Sequence, residues 1–567
     1  MKHHSTPSFL KEFIPKSWTY LSRGYSWLFF KNDLIAGVTV GLVALPLAMA
    51  FAIAAGLSPD KGLTTAIIAG FLISLLGGSR FQIGGPTGAF VIIIYDIIQR
   101  NGYNGLVIVT LIAGVILLIA AFARIGTLIK YVPYPLITGF TTGIAVLIFS
   151  SQIKDFLGLK IAHMPADFIS MWSTLFHNLS SFDLSTLGVG CGTLAIILII
   201  RRFCPVLPWG ITSVALATFA VWILKLPVET IANRFGQIKL SFEFPDFQHM
   251  SKSLENWRTL IPDAVTVAFL AGIESLLSAI VADGMTGSKH RSNCELMAQG
   301  IANMGSVLVG GIPATGAIAR TATNIKTGAK TPLAGMIHAL TLLVIVLAFA
   351  PLVSQMPLAS LSAMLLVIAW NMSEMQHFKH LFRAPKRDVV VLLSTFLLTV
   401  LVDLTAAVEI GMILSVFLFM KRIKDSAGIT SLTTLEKIES LKAEEEEYHL
   451  PLLEKNALPP GIEVYEITGP FFFGIADSLK NILSDIAFRP KVFILRMRKV
   501  PMIDASGMHA LEEFYYECKR EGALLFLSGV NSFVFKKLKK FGIIDLVGEK
   551  HLFSHTTDAI NHASKLA

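Results

Sequence analysis

Long uncharged apolar runs dominate the first 420 residues of the chain. The runs at residues 34–56 and 105–123 contain no charged side chain, and each has about the 20 residues that a helix needs to cross the hydrocarbon core of a bilayer. Dividing the chain at charged or Gly/Pro-rich breaks predicts fourteen membrane spans. They fall near residues 34–56, 62–77, 87–98, 105–123, 134–152, 184–200, 209–224, 262–282, 295–310, 316–324, 331–351, 357–370, 387–402 and 405–420.

Two of these runs are too short to cross a bilayer as helices. The runs at 87–98 and 316–324 have 12 and 9 residues, and at a rise of about 1.5 Å per residue they reach only about half of a roughly 30 Å hydrocarbon core. They are expected to be half-spans.

An internal repeat relates the two halves of the membrane region. The tripeptide TGA at residues 87–89 recurs at 315–317, an offset of 228 residues, and the same offset carries Leu34 to position 262, where the eighth span begins. This predicts two seven-span units, at about 34–225 and about 262–422. Because seven is odd, the second unit is inverted in the membrane relative to the first, an arrangement known in secondary transporters.

The distribution of lysine and arginine predicts the orientation. If the N-terminal arm, residues 1–33, is cytoplasmic, the basic residues of the short loops lie at the exits of even-numbered spans, as membrane proteins favour. Both ends of the chain are then cytoplasmic. Those loop residues are Arg80, Arg124, Lys130, Arg201, Arg202, Lys289, Arg291, Lys326, Lys330, Lys379, Arg383, Lys421 and Arg422.

Composition supports a membrane protein over a nucleic-acid-binding one. The 567 residues are 53% hydrophobic and 15% charged, whereas a soluble domain has about 25% charged residues. The net charge of +9 is explained by basic cytoplasmic loops, so no nucleic-acid partner is expected. The four cysteines show no spacing typical of a metal site or a disulfide framework, and no cofactor is predicted.

The half-spans predict an anion site. Each begins just after a Gly/Pro turn, and helix N-termini present a positive dipole end and free N–H groups to an anion. Pro46 breaks the first span, so residues near it are expected to border the same cavity. The alternatives are helix packing through small residues and a simple helix kink. The predicted substrate-binding residues are Ala48, Phe51, Thr87, Gly88, Ala89, Phe90, Gly316, Ala317, Ala319 and Arg320.

Of the ionisable residues inside the predicted spans, Arg320 and Glu274 are singled out, because charge within a span is costly and usually functional. Arg320, in the second half-span, is expected to add a fixed positive charge beside the anion. Glu274 lies in the middle of the eighth span and is expected to carry a coupling proton, or to pair with a cation or with Arg320. The alternative for both is a structural ion pair that locks the two halves together.

The chain changes character after Lys424. A polar linker is predicted at 425–459 and a small βαβ-type domain at 460–567, with strands at 462–469, 491–497 and 523–529 and helices near 475–487, 506–521 and 531–541. Ser506, in the DASG turn, is either a helix N-cap or a phosphorylation site. No pairing of a nucleophile with a base and no Gly-rich phosphate loop occurs in this domain, so catalysis is not expected there, and the protein is not expected to be an enzyme.

Several long motifs resemble the SulP family of anion permeases, closed by a STAS domain. They are PLAMAFAIAAGLSP (46–59), GGPTGAF (84–90), AGIESLLSAIVADGMTGSKHRSNCELMAQGIAN (271–303), AIARTATNIKTGAKTPLAG (317–335) and the D-x-S-G turn of the C-terminal segment. Within the family the chain looks closest to the bacterial branch of DauA-type C4-dicarboxylate transporters.

The resemblance implies an inverted repeat divided into core and gate domains, a homodimer and elevator-like alternating access. It also implies an anion held between the N-termini of the third and tenth helices. Arg320 takes the place of the family's tenth-helix arginine, and Glu274 that of its eighth-helix acidic residue. Ala319 and Leu47 replace the serine and glutamine of other members, which makes the pocket less polar. In related anti-sigma antagonists the serine that matches Ser506 is phosphorylated.

The expected function is secondary active transport of a small anion across the bacterial inner membrane, coupled to protons or sodium. A C4-dicarboxylate such as succinate, fumarate, malate or aspartate is expected ahead of sulfate or bicarbonate. The alternatives are a uracil or xanthine permease-like carrier and a membrane-anchored regulator whose STAS domain binds a cytosolic protein.

Overall fold

The computed structural model describes residues 12–22, 24–127, 133–161, 164–204, 207–239, 257–432, 460–472 and 490–566, together with residues 244, 458 and 479. The chain forms two compact units, Met1–Ser415 and Val416–Ala567. Each is described separately.

Helices make up nearly all of the first unit. Its elements are α1 (Lys16–Leu21), α2 (Trp27–Ala54), α3 (Pro59–Leu76), β1 (Gly84–Gly85), α4 (Gly88–Phe122), α5 (Tyr134–Leu157), α6 (Phe168–His177), α7 (Leu184–Phe203), α8 (Trp209–Leu224), α9 (Ile231–Phe235), α10 (Trp257–Thr286), α11 (Ser292–Leu308), β2 (Thr315–Gly316), α12 (Ile318–Lys326), α13 (Leu333–Val353), α14 (Leu358–Met372), α15 (Met375–Leu381), α16 (Lys386–Leu401) and α17 (Leu404–Ser426), the last of which runs on into the second unit.

The predicted membrane fold is confirmed. Each predicted span overlaps a helix in the described part of the chain, and nine of the helices there are long and apolar enough to cross a membrane. The spans predicted at 87–98 and 105–123 are both contained in α4, which breaks at Gly102, where φ is 66° and ψ is −177°. Glycine adopts this left-handed region without strain. Helix α2 begins at Trp27, inside the segment predicted as an arm, because the helix continues through polar residues outside the apolar run.

Helix packing divides the first unit into two groups, each built from both repeats. Helices α2, α3, α4, α10, α11, α12 and α13 pack mainly against one another, and α5, α7, α8, α14 and α16 form the second group. These groups correspond to the expected core and gate.

Helix α1 and the first turns of α2 connect the two repeats at one end of the core. The Lys16 amide donates to the Gly77 carbonyl at 3.0 Å, and Arg291 Nη1 donates to Thr19 Oγ1 at 3.1 Å. The fully buried carboxylate of Asp33 accepts the Thr331 amide at 3.0 Å. The start of repeat one is therefore bound to two loops of repeat two.

Helices α2 and α3 touch through Gly62. A β-carbon at Gly62 would lie 2.0 Å from the Ala48 carbonyl oxygen, which no real side chain tolerates. The close approach of the two helix backbones therefore requires glycine at this position, as in other membrane interfaces lined by small residues.

The second unit is an α/β domain with one five-stranded sheet. It comprises β3 (Gly428–Ser431), β4 (Ile462–Thr468), β5 (Val492–Lys499), α18 (Ala505–Arg520), β6 (Leu524–Ser528), α19 (Ser532–Phe541), α20 (Ile543–Val547), β7 (Leu552–Phe553) and α21 (Thr556–Ala563). The sheet order is β3-β4-β5-β6-β7, with β3 antiparallel to β4 and the other neighbours parallel.

Two expectations for this unit are corrected. Strand β3 lies inside the segment 425–459 predicted as linker; its four residues, GITS, are too few and too polar to show a strand pattern. Ser506 does not cap α18: Asp504 is the N-cap, its side chain accepts the Gly507 amide at 2.7 Å, and Ser506 is exposed in the first turn. The helix predicted near 475–487 falls outside the described residues except for residue 479.

Apolar residues cover both faces of the sheet. Cys518 of α18 is fully buried in one of these layers, and burial raises the pKa of its thiol to about 12. It is a core side chain without nucleophilic character.

Replacing Gly62 with alanine should destabilise the membrane unit. The added methyl group overfills the contact between α2 and α3, which typically costs about 1–3 kcal/mol, so the thermal midpoint of the purified protein in detergent should fall.

Gly188→Ala is the matched control for this test. A β-carbon at Gly188 in α7 would meet no described atom within 4 Å, and alanine favours a helix over glycine by roughly 1 kcal/mol. Its midpoint should stay or rise. If the thermal midpoint fell equally in both variants, the loss at Gly62 could not be assigned to its contact with the Ala48 carbonyl.

Candidate functional site

Two short strands, one from each repeat, pair inside the first unit and position the half-helices. The paired strands β1 and β2 are called the crossing below. Strand β1 pairs antiparallel with β2, Gly84 opposite Gly316 and Gly85 opposite Thr315. Helix α4 begins three residues after β1, and α12 begins two residues after β2. The pairing therefore brings together the N-terminal ends of two helices, one from each repeat.

Helix α10 holds this crossing from one side through serine and threonine hydroxyls. Ser275 Oγ accepts the Gly316 amide at 3.0 Å and lies 2.8 Å from Thr315 Oγ1. Ser278 Oγ donates to Thr321 Oγ1 at 3.1 Å, and Thr321 Oγ1 accepts the Ile83 amide at 3.1 Å. Polar groups that the broken helices leave inside the membrane are thus satisfied by protein.

Helix α11 holds the second turn from another side. The Asn303 amide group makes two hydrogen bonds to the backbone of Ala314, accepting its N–H and donating to its carbonyl, each at 2.8 Å. Thr65 Oγ1 accepts the Ile312 amide at 2.7 Å. The backbone before α12 is therefore fixed by side chains of both repeats.

Glu274 and Arg320 both bind the turn that precedes α4. Thr87 Oγ1 donates to Glu274 Oε2 at 2.9 Å, and Arg320 Nη2 donates to the Pro86 carbonyl at 2.7 Å. No ion pair joins the carboxylate to the guanidinium in the described structure, so the expected alternative of a Glu274–Arg320 pair is not seen. Each residue instead connects the second repeat to the first.

Three buried polar side chains close to the crossing have atoms without a hydrogen-bond partner among the described residues: Arg320 Nη1, the amide of Gln82 and the ring of His338. A β-carbon at Gly85 would lie 2.6 Å from Arg320 Nη1, and one at Gly316 would lie 2.0 Å from Gln82 Nε2. Buried polar atoms are nearly always paired with protein or with bound water. These three groups therefore place polar atoms that lack a partner in the described part of the protein beside the paired strands.

The other predicted site residues fall into two sets. Ala89 and Phe90 are buried in the first turn of α4. A β-carbon at Gly88 would lie 2.7 Å from Met372 Sδ, 3.3 Å from Ile148 Cδ1 and 3.5 Å from Phe51 Cε1. Ala48 is fully buried in the contact with α3, which is a helix-packing position. At the other half-helix Ala317 is 8% exposed, whereas Ala319 is exposed.

The apolar pattern did not indicate Gln82, Asn303 or His338. His338 lies in an uncharged span with apolar neighbours on both sides, and a lone polar residue in a long apolar run is the signal that would have identified it. Gln82 and Asn303 lie in segments with other polar residues, so only the tertiary contacts distinguish them.

The fold is that of an SLC26-like membrane transporter with a C-terminal STAS domain. The solved structure of the murine Solute Carrier 26 family member A9 (Slc26a9) anion transporter in the inward-facing state superposes with a TM-score of 0.84 at 18% identity, covering 100% of this chain and 96% of that chain. The transmembrane domain of a cyanobacterium bicarbonate transporter, BicA, superposes with a TM-score of 0.59 at 29% identity over 68% of this chain and 98% of that chain.

The chain belongs to the sulfate permease family, whose model matches residues 30–395, and a STAS domain model matches residues 457–559. The "Putative sulfate transporter YvdB" of Bacillus subtilis is 41% identical over 535 residues, covering 94% of this chain and 98% of that protein. The bicarbonate transporter BicA of Picosynechococcus sp. is 28% identical over 94% of each chain.

These findings confirm the resemblance to the SulP family and define the protein as a multi-pass anion transporter rather than an enzyme. These two relatives bear the names of a putative sulfate transporter and a bicarbonate transporter, and they do not support the DauA-type branch.

Replacing Ser275 with alanine should weaken the crossing. The Gly316 N–H would lose its acceptor in a buried site, which costs about 1–3 kcal/mol, so both the thermal midpoint and the rate of anion uptake should fall.

Ser360→Ala serves as the control. Ser360 is also fully buried, but its hydroxyl donates only to the Pro357 carbonyl at the start of its own helix, and the Ser360 amide donates to that carbonyl as well. A loss of stability and uptake as large in Ser360→Ala as in Ser275→Ala would contradict a special role for the bond to Gly316.

Proposed function

We propose that the protein transports a small inorganic oxyanion, sulfate ahead of bicarbonate. The observation that carries the proposal is the β1–β2 pairing, which places two half-helix N-termini together beside the buried Arg320. The names of the two relatives favour sulfate and bicarbonate over the C4-dicarboxylate expected from the sequence. A dicarboxylate remains the competing substrate in the test.

In this proposal the anion is recognised by the dipoles of two helix N-termini and by the positive charge of one arginine. The N–H groups of the first turns of α4 and α12 bind the anion from two sides, and Arg320 supplies a fixed positive charge behind them. Gly88 and Ala317 let the anion approach the backbone because they have no bulky side chain. Thr87, Ala89, Phe90, Gly316 and Ala319 complete the two turns, and Phe51 belongs to the facing part of α2. Ala48, also expected at the site, packs against α3 instead.

Transport follows from the division into core and gate. The site lies within the core group, and its elements are joined by the hydrogen bonds of Ser275, Asn303 and Arg320. In an elevator-like movement the core would carry the site past the gate as one body. Movement of the core as one body would explain why both half-helices pack within the core group of helices.

Glu274 is the proposed coupling site. Among the described residues its carboxylate accepts one hydrogen bond, from Thr87 at the start of α4, so it can respond to events at the anion site. The coupling ion is a proton or Na⁺, and both are compatible with a single carboxylate.

The cellular setting is also proposed. The protein lies in a bacterial inner membrane as a homodimer with both termini in the cytoplasm, as its basic loops indicate. The STAS domain there offers a surface for a cytosolic protein, and Ser506, exposed at the start of α18, is the proposed regulatory phosphorylation site.

Substrate identity and the role of Arg320 are tested together. Purified protein in liposomes is expected to take up labelled sulfate faster than bicarbonate and much faster than succinate. Arg320→Gln should raise the KM for sulfate by about ten- to a hundredfold, because hydrogen bonds to charged groups contribute about 1.5–3 kcal/mol.

Arg202→Gln removes an exposed charge on α7 and should leave the KM unchanged. Faster uptake of succinate than of sulfate would overturn the oxyanion assignment. An Arg320→Gln variant that folds and keeps the wild-type KM would exclude the arginine from the site.

Glu274→Gln should separate binding from coupling. The amide oxygen can still accept from Thr87, but the side chain can no longer gain or lose a proton or carry charge. Gradient-driven uptake should therefore be lost, while exchange of internal for external anion persists.

Glu409→Gln, an exposed carboxylate on α17, should behave as wild type in both assays. Wild-type uptake that ignores both the proton and the sodium gradient would rule out a coupling role for Glu274.

A further inference from the structure

Helix α19 of the second unit has a cationic and aromatic stripe on its surface. Its members are spaced as i, i+3, i+4, i+7 and i+8, which places them on one face of a helix. Phe533 is 55% exposed and Phe541 44% exposed. The stripe, named here the α19 stripe, consists of Phe533, Lys536, Lys537, Lys540 and Phe541.

The opposite face fixes this helix to the domain. Val534 and Leu538 are fully buried against the sheet layer. The Asn531 side chain accepts the amides of Phe533 and Val534 at 3.0 and 2.9 Å and so caps the helix. The exposed rings are therefore held on a rigid element.

Lys537 connects the stripe to the neighbouring loop. Its ammonium group donates to the Ile503 carbonyl at 3.0 Å and lies 4.9 Å from the centre of the Phe533 ring. Met502 in the same loop is 43% exposed. Helix α19 itself contains no acidic residue, so the stripe combines positive charge with large apolar side chains.

Contact with water accounts for the exposure of the lysine side chains in the α19 stripe, but not for the exposure of its phenyl rings. Exposed lysines are well solvated, whereas two exposed phenyl rings two turns apart on one helix face, together with the exposed Met502 of the neighbouring loop, present apolar surface that favours burial. Helices that lie in the headgroup region of a bilayer use both residue types, lysine to attract anionic lipid and phenylalanine to enter the boundary with the acyl chains. Lysines there attract anionic lipids, each by about fivefold in affinity.

Chain connectivity keeps the domain close to lipid. Helix α17 ends at Ser426 and β3 begins at Gly428, so a single residue separates the last apolar helix from the sheet. A surface tethered this closely meets the bilayer at an effective concentration in the millimolar range. Weak lipid affinity is then sufficient for docking.

We propose that the α19 stripe docks the STAS domain on a bilayer that contains anionic phospholipid. Lys536 and Lys540 contact headgroup phosphates, and Phe533 and Phe541 enter the boundary between headgroups and acyl chains. The inference is independent of which anion is transported.

Hydrogen–deuterium exchange of the full chain in nanodiscs tests the proposal. One set of nanodiscs contains phosphatidylcholine alone and the other adds about a third phosphatidylglycerol. Backbone amides of the peptide that covers 532–541 should exchange at least threefold more slowly in the anionic discs, and 0.5 M salt should reduce the difference.

Two charge reversals complete the test. Lys536→Glu combined with Lys540→Glu should abolish the difference between the discs. Lys519→Glu combined with Arg520→Glu, a matched pair of exposed basic residues on α18, should preserve it. All four side chains are exposed, so both variants should fold, which their thermal midpoints will check.

Equal exchange in the two kinds of disc would overturn the proposal, as would protection that survives the Lys536/Lys540 reversal. Protection in both discs that follows the dimer fraction measured by native mass spectrometry would assign the stripe to a second copy of the chain instead. That result would also overturn lipid docking.

Discussion

A broken helix inside a membrane must have its free backbone groups satisfied by protein, because lipid offers no hydrogen-bond partner. This constraint governs the centre of the transporter. The chain meets it by crossing β1 with β2 and by surrounding the crossing with side chains from α3, α10 and α11. The same hydrogen bonds that make the break tolerable leave the helix N-termini side by side. The proposed anion site thus arises from the same hydrogen bonds that satisfy the backbone groups of the broken helices.

The constraint also explains why the two repeats cannot be considered separately. Arg320 of the second repeat binds the Pro86 carbonyl of the first, and Thr87 of the first binds Glu274 of the second. At the end of the core, Asp33 binds the backbone of Thr331. These cross-connections unite seven helices from two distant parts of the sequence. The gate helices are joined across the repeats as well, for example by the Ser362 hydroxyl, which donates to the Gln152 carbonyl at 2.8 Å.

Much of the architecture could be predicted because lipid imposes length and apolarity on each span. The repeated TGA tripeptide and the two short runs located both half-helices. The ends of the spans were less predictable: α2 extends back to Trp27, and Gly102 interrupts α4 rather than ending it. Ser275 lies next to Glu274 in the sequence, but its bond to Gly316 spans 41 positions. Gln82 and Asn303 depend on such contacts, which no local pattern encodes, whereas His338 is marked in the sequence as a lone polar residue in a long apolar run. Asp504, rather than the expected Ser506, is the N-cap of α18, because its carboxylate accepts a hydrogen bond from the Gly507 amide.

The position of β3 has a consequence for dividing this protein into parts. The strand lies before the segment at 433–457, yet it hydrogen-bonds to β4 on the far side of that segment. A protein cut within the intervening residues would leave β3 on the membrane fragment and strip β4 of its neighbour. The soluble fragment would then present a newly bare strand edge, which readily recruits other chains. An excised domain that begins after residue 432 should therefore be judged as a damaged sheet, and one that begins before Gly428 as an intact one.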